Sequence, residues 1–80
     1  MARVRLLYFA SLREAVGRAD EDVVSDAGDL AGLYAEVAAR HGLDWPRARL
    51  RVAVDGAFAD WAQPLRDGSE VVFIPPVSGG

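Results

Sequence analysis

Apolar residues recur along this chain with two periods, and each period marks a different kind of element. From Arg3 to Phe9 the chain reads as two alternating faces, with Val4, Leu6 and Tyr8 on one side and Arg3, Arg5, Leu7 and Phe9 on the other. That is the two-residue repeat of a strand. Ser11-Leu12-Arg13-Glu14 then fits a capping box, in which the Ser hydroxyl and Glu carboxylate satisfy the first free amides of a short helix that Gly17 closes. Glu21 to Ser25, centred on Val23-Val24 and flanked by Asp20 and Asp26, predicts a weaker strand at a sheet edge. Leu30, Leu33, Val37 and Ala38 repeat at three- and four-residue spacing, which predicts the one long helix, with Asp29 as its N-cap and Gly42 as its stop.

After a loop containing Trp45-Pro46, Leu50, Val52 and Val54 alternate with Arg49, Arg51 and Ala53, and Asp55-Gly56 is a strong two-residue hairpin turn. Asp67-Gly68 marks another turn. Glu70 to Ile74 makes a last, strongly apolar strand that Pro75-Pro76 stops. The order strand, strand, helix, strand, short strand or loop, strand implies an α+β fold, a mixed sheet of four to five strands with one main helix across it and a short helix after the first strand. A β-grasp arrangement satisfies this order, with the first and last strands adjacent and parallel at the centre. Residues 1–76 form the domain and 77–80 an extended tail.

One helix cannot cover both faces of a sheet. If Val4, Leu6 and Tyr8 face it, then Leu7, Phe9 and two of Val71, Val72, Phe73 and Ile74 point the other way. They predict an exposed apolar patch near the root of the tail, the kind of surface that docks a partner. A loop such as Asp44 to Ala48, carrying Trp45, is the competing cover.

Composition narrows the chemistry. The chain has 80 residues, 51% of them hydrophobic and 26% charged, as in an ordinary globular protein. With no cysteine, disulfides, thiolate catalysis, iron-sulfur ligation and cysteine-based zinc sites are excluded. All nine basic residues are Arg, so no lysine is present for Schiff-base chemistry or as an acceptor. A net charge of −3, with both signs interspersed, offers no basic stripe for nucleic acid. No apolar run approaches the roughly 20 residues of a membrane span, and Met1 to Phe9 lacks the features of a signal peptide, so a cytoplasmic location is expected.

No metal site is expected either. The lone His41 falls in the last turn of the main helix, where it favours the helix dipole, and Asp20-Glu21-Asp22 alternates faces as a solvated edge rather than converging on a cation. Ser11, Ser25 and Ser69 have no partner base at a recognisable spacing.

The tail Val77-Ser78-Gly79-Gly80 carries no charged side chain and reaches about 20 Å beyond Ile74 when extended. A carboxylate is inert towards nucleophiles until ATP converts it into an acyl-adenylate, and an enzyme doing so must close around carboxylate and nucleotide together. Glycine, lacking Cβ, lets backbone pass a narrow channel with almost any dihedrals. Gly80 is therefore the candidate reacting group.

Three stretches carry a resemblance: Phe9-Ala10-Ser11-Leu12-Arg13-Glu14 with Gly17, the Pro64-Leu65-Arg66-Asp67-Gly68 turn, and above all Glu70 through Pro75-Pro76-Val77-Ser78-Gly79-Gly80. Along essentially its whole length the chain resembles the small, sulfur-carrying subunit of molybdopterin synthase, a ubiquitin-like β-grasp family. A related carrier for thiazole biosynthesis also ends in Gly-Gly but usually lacks the double proline and the early stretch. The resemblance implies that a ubiquitin-activating-like adenylyltransferase adenylates Gly80 with ATP and that sulfur from a donor protein replaces AMP, giving a thiocarboxylate. Gly80 then delivers sulfur to cyclic pyranopterin monophosphate in the large synthase subunit, within a heterotetramer, to form molybdopterin. The carrier would be a non-catalytic donor with no bound cofactor, ATP belonging to the activating enzyme. Val77, Ser78 and Gly79 would thread the partner's channel, and Leu7, Phe9, Phe73, Pro75 and Pro76 would dock. A carrier for thiazole, cysteine or tRNA thiolation, and a ubiquitin-like protein modifier, remain the alternatives.

Overall fold

The two-residue repeat at the N-terminus becomes strand β1 (Ala2–Tyr8), which buries Val4, Leu6 and Tyr8 on one face. The computed structural model describes residues 1–76, and the expectations placed on Val77, Ser78, Gly79 and Gly80 lie outside the described residues. After β1 come α1 (Ala10–Val16), β2 (Asp20–Ser25), α2 (Leu30–His41), a single 3-10 turn (Arg47–Arg49), β3 (Arg51–Val54), β4 (Ala57–Ala59) and β5 (Glu70–Ile74). The sheet runs β2-β1-β5-β3-β4. β1 and β5 are parallel at its centre, and the other neighbours are antiparallel. This is the expected arrangement, with β2 at one edge and the stretch after the hairpin supplying the short edge strand β4.

Helix α2 is built as its spacing predicts. Asp29 caps it by accepting a hydrogen bond from the Gly32 amide at 2.9 Å, and Gly42, at φ 67°, closes it in the left-handed conformation. Its buried face is Leu30, Leu33, Tyr34 and Val37. Between β3 and β4, Asp55 and Gly56 both take positive φ, 51° and 88°, which matches the twist of a two-residue hairpin.

The start of α1 departs from expectation. Phe9, not Ser11, is the N-cap, and no side chain caps the helix. The chain leaves β1 so abruptly that Ala10 already lies at φ 50°. The Phe9 carbonyl then accepts from the amides of Leu12 and Arg13, at 3.1 and 3.3 Å, so the first turn closes on backbone before the Ser11 hydroxyl is in position to cap it. Gly17 ends the helix as predicted.

The core fills the space between α2 and one face of the sheet. At its centre the ring of Phe73 meets Tyr34 edge-on at 5.2 Å and stacks with Trp61 at 5.9 Å. Among the described residues no helix is long and apolar enough to cross a membrane.

Candidate functional site

Register decides which side chains share the uncovered face. Leu7 of β1 lies opposite Val72 of β5, Val72 opposite Ala53 of β3, and Ala53 opposite Phe58 of β4. These four form one apolar rung across four strands, all on the face away from α2 because side chains alternate. The next residues along, Tyr8, Phe73, Val52 and Ala59, form the opposing rung that meets the helix. Phe58 is 69% exposed, while Leu7, Ala53, Val72 and Ile74 are half-buried by their neighbours. Phe9, 51% exposed, follows β1 at the same end of the sheet as Pro75 and Pro76.

The root of the tail thus sits at the end of an exposed apolar face, as the helix count predicts. Open depressions flank it on both sides. One, of about 510 Å³, is bordered by Phe9, Trp45, Ile74 and the two prolines. The other, of about 460 Å³, is bordered by Arg49, Arg51, Phe58, Ile74 and the same prolines. The loop carrying Trp45 does not take the part of a cover for the rung. It packs against the core, its carbonyl accepts from the Tyr34 hydroxyl at 2.6 Å, and it meets the patch only beside Phe9 and Pro75.

One expected contributor is misplaced. Phe73 is fully buried against Tyr34 and Trp61, so it belongs to the core and not to the docking face. Val72 and Ile74 are the two residues of β5 that turn outward. Leu7, Phe9, Pro75 and Pro76 all lie along the uncovered side or the tail root. Ala53 and Phe58 escaped the sequence reading, although a hairpin pivoting on Asp55-Gly56 pairs them directly.

A second cluster lies under the C-terminal end of α2. The carboxylates of β2 alternate: Asp20 and Asp22 point outward and pair with Arg5 at 3.1 and 3.7 Å. Glu21 points inward, its side chain only 12% exposed, so the expected solvated edge holds for its neighbours and not for it. Its Oε1 accepts from the Tyr8 hydroxyl at 2.7 Å and from His41 Nε2–H at 2.9 Å, and Arg40 lies 3.9 Å from Oε2. Burial pushes the Glu21 carboxyl up, but the hydrogen bonds from Tyr8 and His41 and the nearby cations outweigh it, holding the group below the usual carboxylate range. Burial and the bond to Glu21 together push the Tyr8 hydroxyl well above its ordinary value, which keeps it a donor. His41 therefore does more than face the helix dipole, because it ties the end of α2 to β2. No group of three metal-ligating side chains converges among the described residues. Ser25 donates to a Glu36 carboxylate oxygen, and neither arrangement holds a nucleophile beside a base in an open cleft.

Among the described residues the site is thus an uncovered apolar face with the Pro75-Pro76 exit at its end. The family model that matches residues 6–80 is described as the ThiS family. The chain belongs to the ThiS family. Its match runs from within β1 through Gly80, and so takes in the tail. A protein of Escherichia coli named molybdopterin synthase sulfur carrier subunit is 36% identical over 80 residues, with 96% of this chain and 99% of the relative covered. The solved structure of a putative molybdopterin converting factor, subunit 1, from Pyrococcus furiosus superposes with a TM-score of 0.81 at 26% identity, covering 96% of this chain and all of that one. A chain in the complex of subunits 1 and 2 of molybdopterin-converting factor from Helicobacter pylori superposes with a TM-score of 0.68 at 25% identity, covering 98% of this chain and 99% of that one. The ThiS-family chain therefore has the ubiquitin-like β-grasp fold, and its resemblance to molybdopterin synthase sulfur carriers extends over nearly its full length.

Proposed function

We propose that this chain is the sulfur carrier of molybdenum cofactor biosynthesis and that its reacting group is the carboxylate of Gly80. The observation that carries the reading is the near full-length likeness to proteins named as molybdopterin synthase sulfur carrier subunits. It is supported by a double-proline exit at the edge of an exposed apolar face.

Adenylation by a partner enzyme makes the Gly80 carbonyl electrophilic by joining its oxygen to AMP, with pyrophosphate released. Hydrosulfide supplied by a sulfur donor then attacks the carbonyl carbon, the bond to AMP breaks and the proton is lost to solvent, leaving a thiocarboxylate. This stores sulfur as a soft anionic nucleophile in a chain that has no cysteine. Val77, Ser78 and Gly79 thread the partner's channel, where the missing Cβ of glycine gives clearance. Leu7, Val72, Ile74 and Phe58 supply the docking surface, with Phe9, Pro75 and Pro76 at its tail end. The partner at the transfer step is the large subunit of molybdopterin synthase, in a heterotetramer, where sulfur passes to cyclic pyranopterin monophosphate. A complex of two such subunits is what the Helicobacter pylori structure describes. The chain itself holds no cofactor, and ATP is the activating enzyme's substrate. A cytoplasmic setting suits both partners.

The test is transfer by the loaded carrier. The thiocarboxylated chain, mixed with the large subunit and cyclic pyranopterin monophosphate, is expected to yield molybdopterin while returning to the carboxylate. A competent large subunit that leaves the thiocarboxylate untouched, while a thiazole synthase or another acceptor consumes it, contradicts the assignment.

A further inference from the structure

Charge is distributed unevenly along the open sheet face, and the unevenness lines up with the tail. At the tail end Arg49 and Arg51 are exposed beside this face, and Arg47 is exposed on the helix-covered side, over Trp61. Arg49 and Arg51 border the depression that ends at Pro75 and Pro76. Among the described residues, none of these three arginines makes an ion pair. Instead, the Arg51 guanidinium lies 5.5 Å from the centroid of Phe58 and that of Arg47 lies 6.0 Å from Trp61.

The far end is the reverse. There Arg5 lies in register with Asp22 and Glu70 and pairs with Asp22 at 3.7 Å, the Glu70 amide donates to Asp55, and the Arg3 amide donates to Asp67. Carboxylates there outnumber guanidiniums. The apolar rung of Leu7, Val72, Ala53 and Phe58, which Asp20 of β2 continues at the sheet edge, lies between the two ends. Across β1, β5, β3 and β4 the face is positive beside the exit of the tail, apolar in the middle and negative beyond, on a chain whose net charge is −3.

We propose that Arg49 and Arg51 engage a carboxylate-bearing rim on the protein that receives the tail, and thereby fix which way round the sheet face docks. This rests on the docking role given to the face above, and adds the charge of the partner's surface and the orientation it imposes. An apolar rung alone tolerates docking in either direction, because area burial has no direction. Charge at one end does not. With a carboxylate rim beside the channel, the productive pose places guanidiniums against carboxylates. The reversed pose brings the Asp22, Glu70 and Asp55 end against the same rim and sends the tail away from the channel. Rim charges of this kind act on the encounter rate and register more than on the lifetime of the complex, and salt screens them over about 8 to 10 Å.

Stopped-flow association of the full chain with the large synthase subunit, at low and high salt, tests this. The variants are the pairs Arg49→Gln with Arg51→Gln and Arg49→Glu with Arg51→Glu, with Val72→Gln as the reference for the apolar rung. Wild-type association is expected to slow with salt. The neutral pair should associate about tenfold more slowly at low salt and lose most of that salt dependence, and the reversed pair more slowly still, with dissociation nearly unchanged. Thermal unfolding of each variant shows that the fold is intact. Association of the neutral pair that equals or exceeds wild type at low salt overturns the inference while leaving the docking role standing, provided Val72→Gln weakens the complex. If Val72→Gln leaves the complex undiminished, the docking role and this inference fall together.

Discussion

Val72 and Phe73 are neighbours in sequence with opposite duties, because the strand turns one out and the next in. Replacing Phe73 with Ala removes a ring held between Tyr34 and Trp61, a change that costs about 3 to 5 kcal/mol in a buried site. Small domains have about 5 to 15 kcal/mol to lose, so Phe73→Ala should show as a large drop in unfolding midpoint. Val72→Gln should leave the midpoint within a few degrees and weaken partner binding instead. A Phe73→Ala protein that unfolds like wild type would place that ring outside the core. The run Val71 to Ile74 is apolar throughout, so its sequence carries no alternation to say which two residues face out. Only the pairing with β1 does. Glu21 was illegible for a related reason: its inward place follows from β2 pairing antiparallel with β1, where Glu21 meets Leu6 and its carboxylate finds Tyr8 and His41. Its folded carboxyl lies below the unfolded value, so the stability it contributes is present above the usual carboxylate range and is lost as pH falls through the folded value. Glu21→Gln should cost about 1 to 3 kcal/mol near neutral pH, with the two curves converging in acid. Denaturant titrations at both pH values measure this, and equal stability at neutral pH refutes the role.

Elements were legible where local chemistry alone determines them. Helix α2 declares itself through Asp29, the Leu30 to Val37 stripe and Gly42, and β5 through its two flanking signals, Asp67-Gly68 and Pro75-Pro76. Asp29→Ala should therefore destabilise the domain by about 1 kcal/mol, the usual worth of an N-cap, in a urea titration. An unchanged midpoint would mean that the Gly32 amide finds another acceptor. The Ser11 capping box failed because it is a local pattern overridden by a tertiary one: the chain must fold back from the end of β1 at once, and Phe9 and Ala10 take the turn. Trp61 lies in a stretch with no period to read, and its part in the core follows from stacking on Phe73 across the fold.

At the scale of the whole molecule, one long helix covers one face of a five-stranded sheet and leaves the other open. That conclusion needed only a count of elements, which is why the apolar patch was foreseeable. Its composition was less so, since Ala53 and Phe58 join it through strand order rather than through nearness in sequence. An 80-residue chain buries a modest share of its surface, so an apolar rung left bare is a cost that binding a partner removes. Under the proposed function the fold is a handle that would dock by this face, with the Pro75-Pro76 exit at its end.

The most direct measurement is the intact mass of the chain after incubation with ATP, a competent adenylating enzyme and a sulfur donor. A sulfur carrier gains the mass difference between one sulfur and one oxygen, localised by fragmentation to Gly80, and a chain lacking Gly79-Gly80 gains nothing while keeping its fold. An unchanged mass under conditions where the same enzyme loads another carrier would contradict the account.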